Sequence, residues 1–144
     1  RSSPPRLYFH AIGHSDVTTE GIRIRVGAKF LPNQSSTEGH RFAYAYRVKI
    51  ENEGDETVQL LRRKWVILDS ENDRRTVEGD GVIGEQPVLA PGESFEYVSG
   101  GTLPTDWGTM EGHYEMLRED GTKFDAAIGR FFLTQNAAPL SALD

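Results

Sequence analysis

From Ile22 to Phe30 the chain reads IRIRVGAKF, apolar and polar by turns. A period of two sustained this long predicts a half-buried strand with Ile22, Ile24, Val26, Ala28 and Phe30 facing inward. Past a polar loop, PNQSSTEGH, the alternation returns and puts Phe42, Tyr44, Tyr46, Val48 and Ile50 on one face. Residues 52–56, NEGDE, read as a turn. In the next stretch, TVQLLRRKWVILDS, Val58 and Leu60 keep one phase while Leu61, Trp65 and Ile67 keep the other. Such a slip predicts a β-bulge, or a strand buried on both sides around Trp65 to Leu68. Ser70 to Arg74 closes a hairpin into a short strand, Arg75 to Glu78. Glycines and prolines then crowd residues 79–92. Two more strands follow near 95–99 and 110–117, the second with Met110, Gly112, Tyr114 and Met116 on one face. Asp120-Gly121 predicts a type I′ hairpin turn. Phe124, Ala126 and Ile128 mark the returning strand, which Phe131 to Leu133 extends.

Seven to eight short strands joined by turns, with no helical period, predict an all-β fold. An antiparallel β-sandwich is preferred over a barrel. At 144 residues one domain suffices, and it can bury a core without staples. We divide the chain into a flexible N-terminal extension (1–15), a β-sandwich domain (16–134) and a C-terminal tail (135–144). The extension, RSSPPRLYFHAIGHS, holds no acid, two arginines and three serines. That composition faintly resembles the mature side of a mitochondrial import signal, and fits a disordered lead-in with a Pro-Pro kink better. The expected location is intracellular, cytoplasmic or organellar.

Composition narrows the function classes. There is no apolar run long enough to span a membrane. A net charge of −6 with interspersed acids and bases argues against a nucleic-acid-binding surface. Zero cysteines exclude disulfides, thiol catalysis and cysteine-based zinc sites.

The segment VEGDGVIGEQP carries Gly79, Gly81 and Gly84 at Gly-x-Gly-x-x-Gly spacing, which dinucleotide-binding folds use to cradle pyrophosphate. In those folds a helix opens at the last glycine and meets the phosphate with its N-terminus. Here Pro87 and Pro91-Gly92 would break that helix within its first turns. The expectation is a tight loop. Its amides could still form an anion-binding nest without a helix.

The runs Asn52 to Leu61, Arg63-Lys64-Trp65, Val77-Glu78-Gly79 and Gly84 to Tyr97 (GEQPVLAPGESFEY) closely resemble the ApaG family. Gly108 to Gly112 and Phe30 to Ser35 fit the same family, and the likeness covers about residues 16 to 134. The resemblance implies a fibronectin-III-like or immunoglobulin-like β-sandwich. It implies a link to cobalt and magnesium homeostasis in bacterial members, and a protein-interaction role where the domain is joined to F-box and polymerase-interacting proteins. It brings no catalytic residues. The chain departs from bacterial relatives at Arg63-Lys64-Trp65, where they have Arg-His-Trp, and at Ile128-Gly129-Arg130-Phe131, where they have Ile-Pro-Pro-Phe.

Other constellations are weaker. His10 and His14 have i,i+4 spacing in the expected lead-in but lack the glutamate of a zincin motif. Glu111, His113 and Glu115 share one strand face, where a divalent cation is conceivable and a solvated outer face is the default. No metal ligands, cofactor or catalytic group are assigned. Arg62, Arg63 and Lys64 form the one dense basic run, either an edge guard or a contact for an acidic partner. Trp107 falls in a loop, as a partner anchor or an end cap. The leading expectation is a non-enzymatic protein-interaction module. Its partner-binding or anion-binding loop comprises Gly79, Asp80, Gly81, Gly84 and Glu85, with Trp107 beside it. The alternative is a sensor that binds an anion or nucleotide, pyrophosphate in particular, through the loop amides. Exposed edge strands make a homodimer an expectation.

Overall fold

The computed structural model describes residues 13–135. Nine strands follow one another: β1 (His14–Thr19), β2 (Ile22–Phe30), β3 (Phe42–Asn52), β4 (Val58–Asp69), β5 (Arg74–Asp80), β6 (Val88–Leu89), β7 (Ser94–Leu103), β8 (Gly108–Arg118) and β9 (Lys123–Leu133). Among the described residues a 3-10 turn at Pro32–Gln34 interrupts them. All pairings are antiparallel. They build one sheet in the order β1-β2-β3-β7 and a second in the order β5-β4-β8-β9, with β6 also on β4. The all-β sandwich expectation holds, with two strands more than the pattern marks out.

β1 is the first addition. Its sequence, HSDVTT, shows little apolar alternation, and it forms by pairing along β2 from Thr19↔Ile22 to His14↔Gly27. Hence His14 and Ser15, expected in the lead-in, are strand residues; His10 lies outside the described residues. The two-residue β6 is the second addition. The turn at Asp120-Gly121 also differs from expectation. Arg118 N donates to Thr122 O at 2.8 Å and Gly121 N donates to Arg118 O at 3.0 Å. Gly121 takes a φ of +88° while Asp120 stays at negative φ, so this is a three-residue loop and not type I′. Asp120 instead accepts hydrogen bonds from the Thr122 hydroxyl and amide, which lower its carboxyl pKa. A two-residue turn with both φ values positive occurs at Glu20-Gly21, between β1 and β2.

The phase slip in β4 is a bulge. Leu60 pairs with Met116 and Arg62 with Glu115, so Leu61 is the extra residue. Before it, Val58 and Leu60 point inward; after it, Trp65, Ile67 and Asp69 do. Trp65 thereby becomes the centre of an aromatic cluster. Its ring meets Tyr46 edge-on at 5.3 Å, Phe131 at 6.0 Å and Tyr114 at 6.3 Å, tying both sheets together. Polar groups are placed with equal care. Tyr97 of one sheet and Tyr114 of the other share a buried hydrogen bond of 2.5 Å between their hydroxyls. Asn52 donates to Glu56 O and Leu89 O and accepts from Gly54 N, stitching the turn after β3 to β6.

The two long sides of the sandwich differ. On one, β1 and β2 pack on β9, and Ala127 N donates to Thr19 Oγ1 at 3.2 Å. On the other, β5 and β7 stand apart as the free edges of their sheets.

Two outcomes test this packing. Asn52→Ala removes three hydrogen bonds of a buried side chain and is expected to cost about 2–3 kcal/mol, read from urea midpoints. Burial raises the hydroxyl pKa values of Tyr97 and Tyr114 above their ordinary value. Their neutral forms therefore add stability that is fully present below about pH 10 and is lost as the pH climbs beyond it. Thermal midpoints should fall on the alkaline side of about pH 10, and fall less in the Tyr97→Phe/Tyr114→Phe double variant.

Candidate functional site

The free edges of β5 and β7 frame a cleft of about 230 Å³. Much of its room comes from β7, which carries little bulk where it points inward. On β7 the inward positions opposite Tyr46 and Tyr44 are Ser99 and Gly101. On β5 they are Arg75, Val77 and Gly79, opposite Ile67, Trp65 and Arg63. No side chain fills the space at Gly101: a Cβ built there would meet no atom within 4 Å. Tyr44, Tyr46 and Trp65 form much of the apolar floor.

Two guanidinium groups line this cleft, Arg63 and Arg75, and no Asp or Glu does. In a chain with 22 acidic and 16 basic residues that separation of charge is local and marked. Six other arginines, Arg23, Arg25, Arg47, Arg62, Arg118 and Arg130, are each paired with a carboxylate. Arg63 and Arg75 instead donate to backbone carbonyls. Arg63 Nη1 reaches Asp80 O at 3.1 Å and Gly81 O at 2.9 Å, and Arg75 Nη2 reaches Thr102 O at 3.3 Å across the mouth. Among the described residues neither has a carboxylate partner. Low-dielectric walls sharpen the field of such a pair. The nearby Tyr44 hydroxyl donates to Asp106 O, and burial pushes its pKa up to about 12.

The glycine loop lies beside the cleft and clasps the β4 bulge. Gly81 N and Gln86 Nε2 both donate to the carbonyl of the bulged Leu61, at 2.8 and 2.9 Å. Val82 and Glu85 exchange two backbone hydrogen bonds around a tight turn at Ile83-Gly84, and Val82 is fully buried. The amides of Gly81, Val82 and Glu85 are therefore already spent, which leaves few donors for a pyrophosphate. No helix follows, only β6. Gly81 is confined: a Cβ there would lie 2.2 Å from Glu85 O, at a φ of +63°. Ile83 holds a φ of +42°, uncommon for a β-branched residue, and is 58% exposed at the tip.

The basic run divides. Arg63 turns toward the cleft, while Arg62 is exposed and pairs with Asp80 at 2.5 Å. Lys64 sits opposite His113 in the ladder. Trp107 does not join the loop. It precedes β8 at the far end of β4, ~26 Å from Leu61 at ~3.3 Å per residue, and stacks on Phe132 at 5.9 Å between centroids. Glu111 turns to Arg130 at 3.1 Å and His113 to Asp125 at 3.8 Å. Among the described residues no three His, Asp or Glu side chains converge as for a metal ion. Sequence reasoning overlooked Arg75, Ser99 and Gly101. The signal available was Ser99-Gly100-Gly101 within a strand, since strand glycines often mark a gap or a close approach.

The ApaG domain pattern matches residues 32–118, which contain both edges of the cleft. The chain belongs to the ApaG family. Protein ApaG of Paramagnetospirillum magneticum is 53% identical over 116 residues, covering 81% of this chain and 89% of that one. Protein ApaG of a Pseudomonas aeruginosa strain is 48% identical, covering 81% and 92%. The solved ApaA protein of Bordetella pertussis superposes with a TM-score of 0.78 at 41% identity, covering 82% of this chain and 96% of that one. The ApaG fold is thus shared with bacterial proteins over nearly their whole length. No helix among the described residues is long and apolar enough to cross a membrane.

The loop geometry makes a paired prediction. Gly81→Ala should lower stability by about 2 kcal/mol or more through steric conflict and strain. Ile83→Asn should raise it by about 1 kcal/mol, because asparagine tolerates the left-handed region. Urea midpoints of the two variants check both signs.

Proposed function

We propose that this ApaG-family chain is a non-enzymatic protein-interaction module whose binding face is the cleft between β5 and β7. The observation that carries the reading is the pair of guanidinium groups without carboxylate partners, set over an aromatic floor at the open side. Aromatic side chains and arginine are the groups that most often anchor protein interfaces. The cleft's polar groups are two guanidinium groups and a few hydroxyls, a set suited to holding a ligand and poorly suited to moving protons. The glycine loop supports this face from below by fixing Arg63, and it presents Ile83 alongside. Trp107 belongs to a separate surface. The reading extends to an intracellular setting, and it makes any role in cobalt or magnesium homeostasis one exerted through a partner protein. The anion-sensor alternative gains no support from loop amides that are already bonded within the chain.

Gly101→Leu tests the face. The position has room and ordinary backbone, so the fold should keep or slightly gain stability as the cleft fills. Partner protein captured from a lysate by the parent chain should be lost by this variant at an unchanged or higher Tm. Retention of the same protein by Gly101→Leu would place the binding face elsewhere.

A further inference from the structure

We infer that the cleft takes an extended, acidic segment of the partner, which adds as a fifth strand to the free edge of β7. The inference rests on the cleft reading above and names its occupant. In an antiparallel ladder each residue's N–H and C=O point to the same side, and the side alternates along the strand. Thr102 O faces β5, because Arg75 reaches it from there. Val98 and Gly100 share that phase, so Val98, Gly100 and Thr102 present their backbone groups to the open side. Three residues whose backbone groups face the open edge beside a cleft, with Thr102 O held by the Arg75 side chain, form a template for strand addition.

Side-chain geometry then selects the chemistry. A strand docked on β7 shares its faces, so residues opposite Ser99 and Gly101 would project over the cleft toward Val77, Arg75 and Arg63. Their neighbours would point to solvent. The inward positions meet two guanidinium groups and no acid. A carboxylate there gains charge-assisted, bidentate hydrogen bonds that backbone carbonyls do not offer. An apolar residue two positions along would cover Val77, which is 36% exposed. Arg75 now guards the edge by holding Thr102 O; an arriving strand takes that carbonyl with its own N–H while Arg75 turns to the carboxylate.

A second copy of this chain is a poorer occupant through the same edge. The inward residues of β7 are Phe95, Tyr97, Ser99, Gly101 and Leu103, none of them acidic. Edge-to-edge pairing of β7 with itself would leave Arg63 and Arg75 unanswered.

The experiment uses the full chain and a random dodecapeptide display library. Enriched peptides are expected to carry Asp or Glu at alternate positions. A synthetic winner should lose at least tenfold in affinity when N-methylated at alternate residues of one phase, and little in the other. Arg75→Met should weaken it about tenfold, consistent with loss of a charge-assisted contact, without changing Tm. Amide exchange at Val98, Gly100 and Thr102 should slow on binding. Gly101→Leu should abolish binding. Peptides blocked by Gly101→Leu but indifferent to the N-methylation phase or to Arg75→Met would overturn the acidic-strand inference and leave the cleft reading standing. Peptides that bind Gly101→Leu normally, or no enrichment at all, would overturn the inference; the first would remove the cleft reading with it.

Discussion

The single extra residue at Leu61 governs the rest of this molecule. Without the bulge, the phase set by Val58 and Leu60 would turn Arg62 and Lys64 into the core and Trp65 out of it. Desolvating two unpaired cations would cost several kcal/mol, and the aromatic centre would be lost. The carbonyl of the bulged Leu61 faces the returning chain, where Gly81 N, next in register after Arg62↔Asp80, and Gln86 Nε2 both donate to it. The glycine loop is thus explained by hydrogen bonds within the fold. Its resemblance to a phosphate cradle is one of spacing alone.

The same register shift links core to site. It points Arg63 and Trp65 in one direction, so the tryptophan that joins the sheets and the arginine that lines the cleft are two consequences of one slip. Arg63 then reaches the carbonyls of Asp80 and Gly81, anchoring the loop that holds the bulge. The fold and the proposed binding face share parts here, and a change to the loop is felt in both.

Much of this was legible in the chain before folding, wherever local alternation is strong. β2 is read to the residue, β3, β8 and β9 to within a few, and the β4 slip is the bulge that is one of its two readings. What the pattern misses depends on partners distant in sequence. β1 has one apolar residue with a strong strand preference, Val17, and owes its form to β2. β6 is two residues long and exists because β4 still has a free edge. The turn at Asp120 was misjudged because the dipeptide fits two loop lengths, and the pairing of Arg118 with Thr122 chooses the longer. The cleft was least visible, being made by small residues on β7 set opposite a strand, β5, with which β7 never pairs. Only Arg63, in phase with Trp65, could be placed near it. Trp107 and the loop looked like neighbours because both are rich in turn residues; β4 holds them far apart.

The unequal sides of the sandwich give it one closed side and one open side. With β1 and β2 bound to β9, the sheets behave as two covers joined at a spine, and β5 and β7 lie along the fore-edge, each held by one cover only. Breathing of such a body has its largest amplitude at the fore-edge, where protection from opening is lowest. The Tyr97–Tyr114 hydrogen bond is a clasp between the covers, and a segment bridging both fore-edges would act at the longest lever arm. Occupancy there would be felt as stiffness throughout the book.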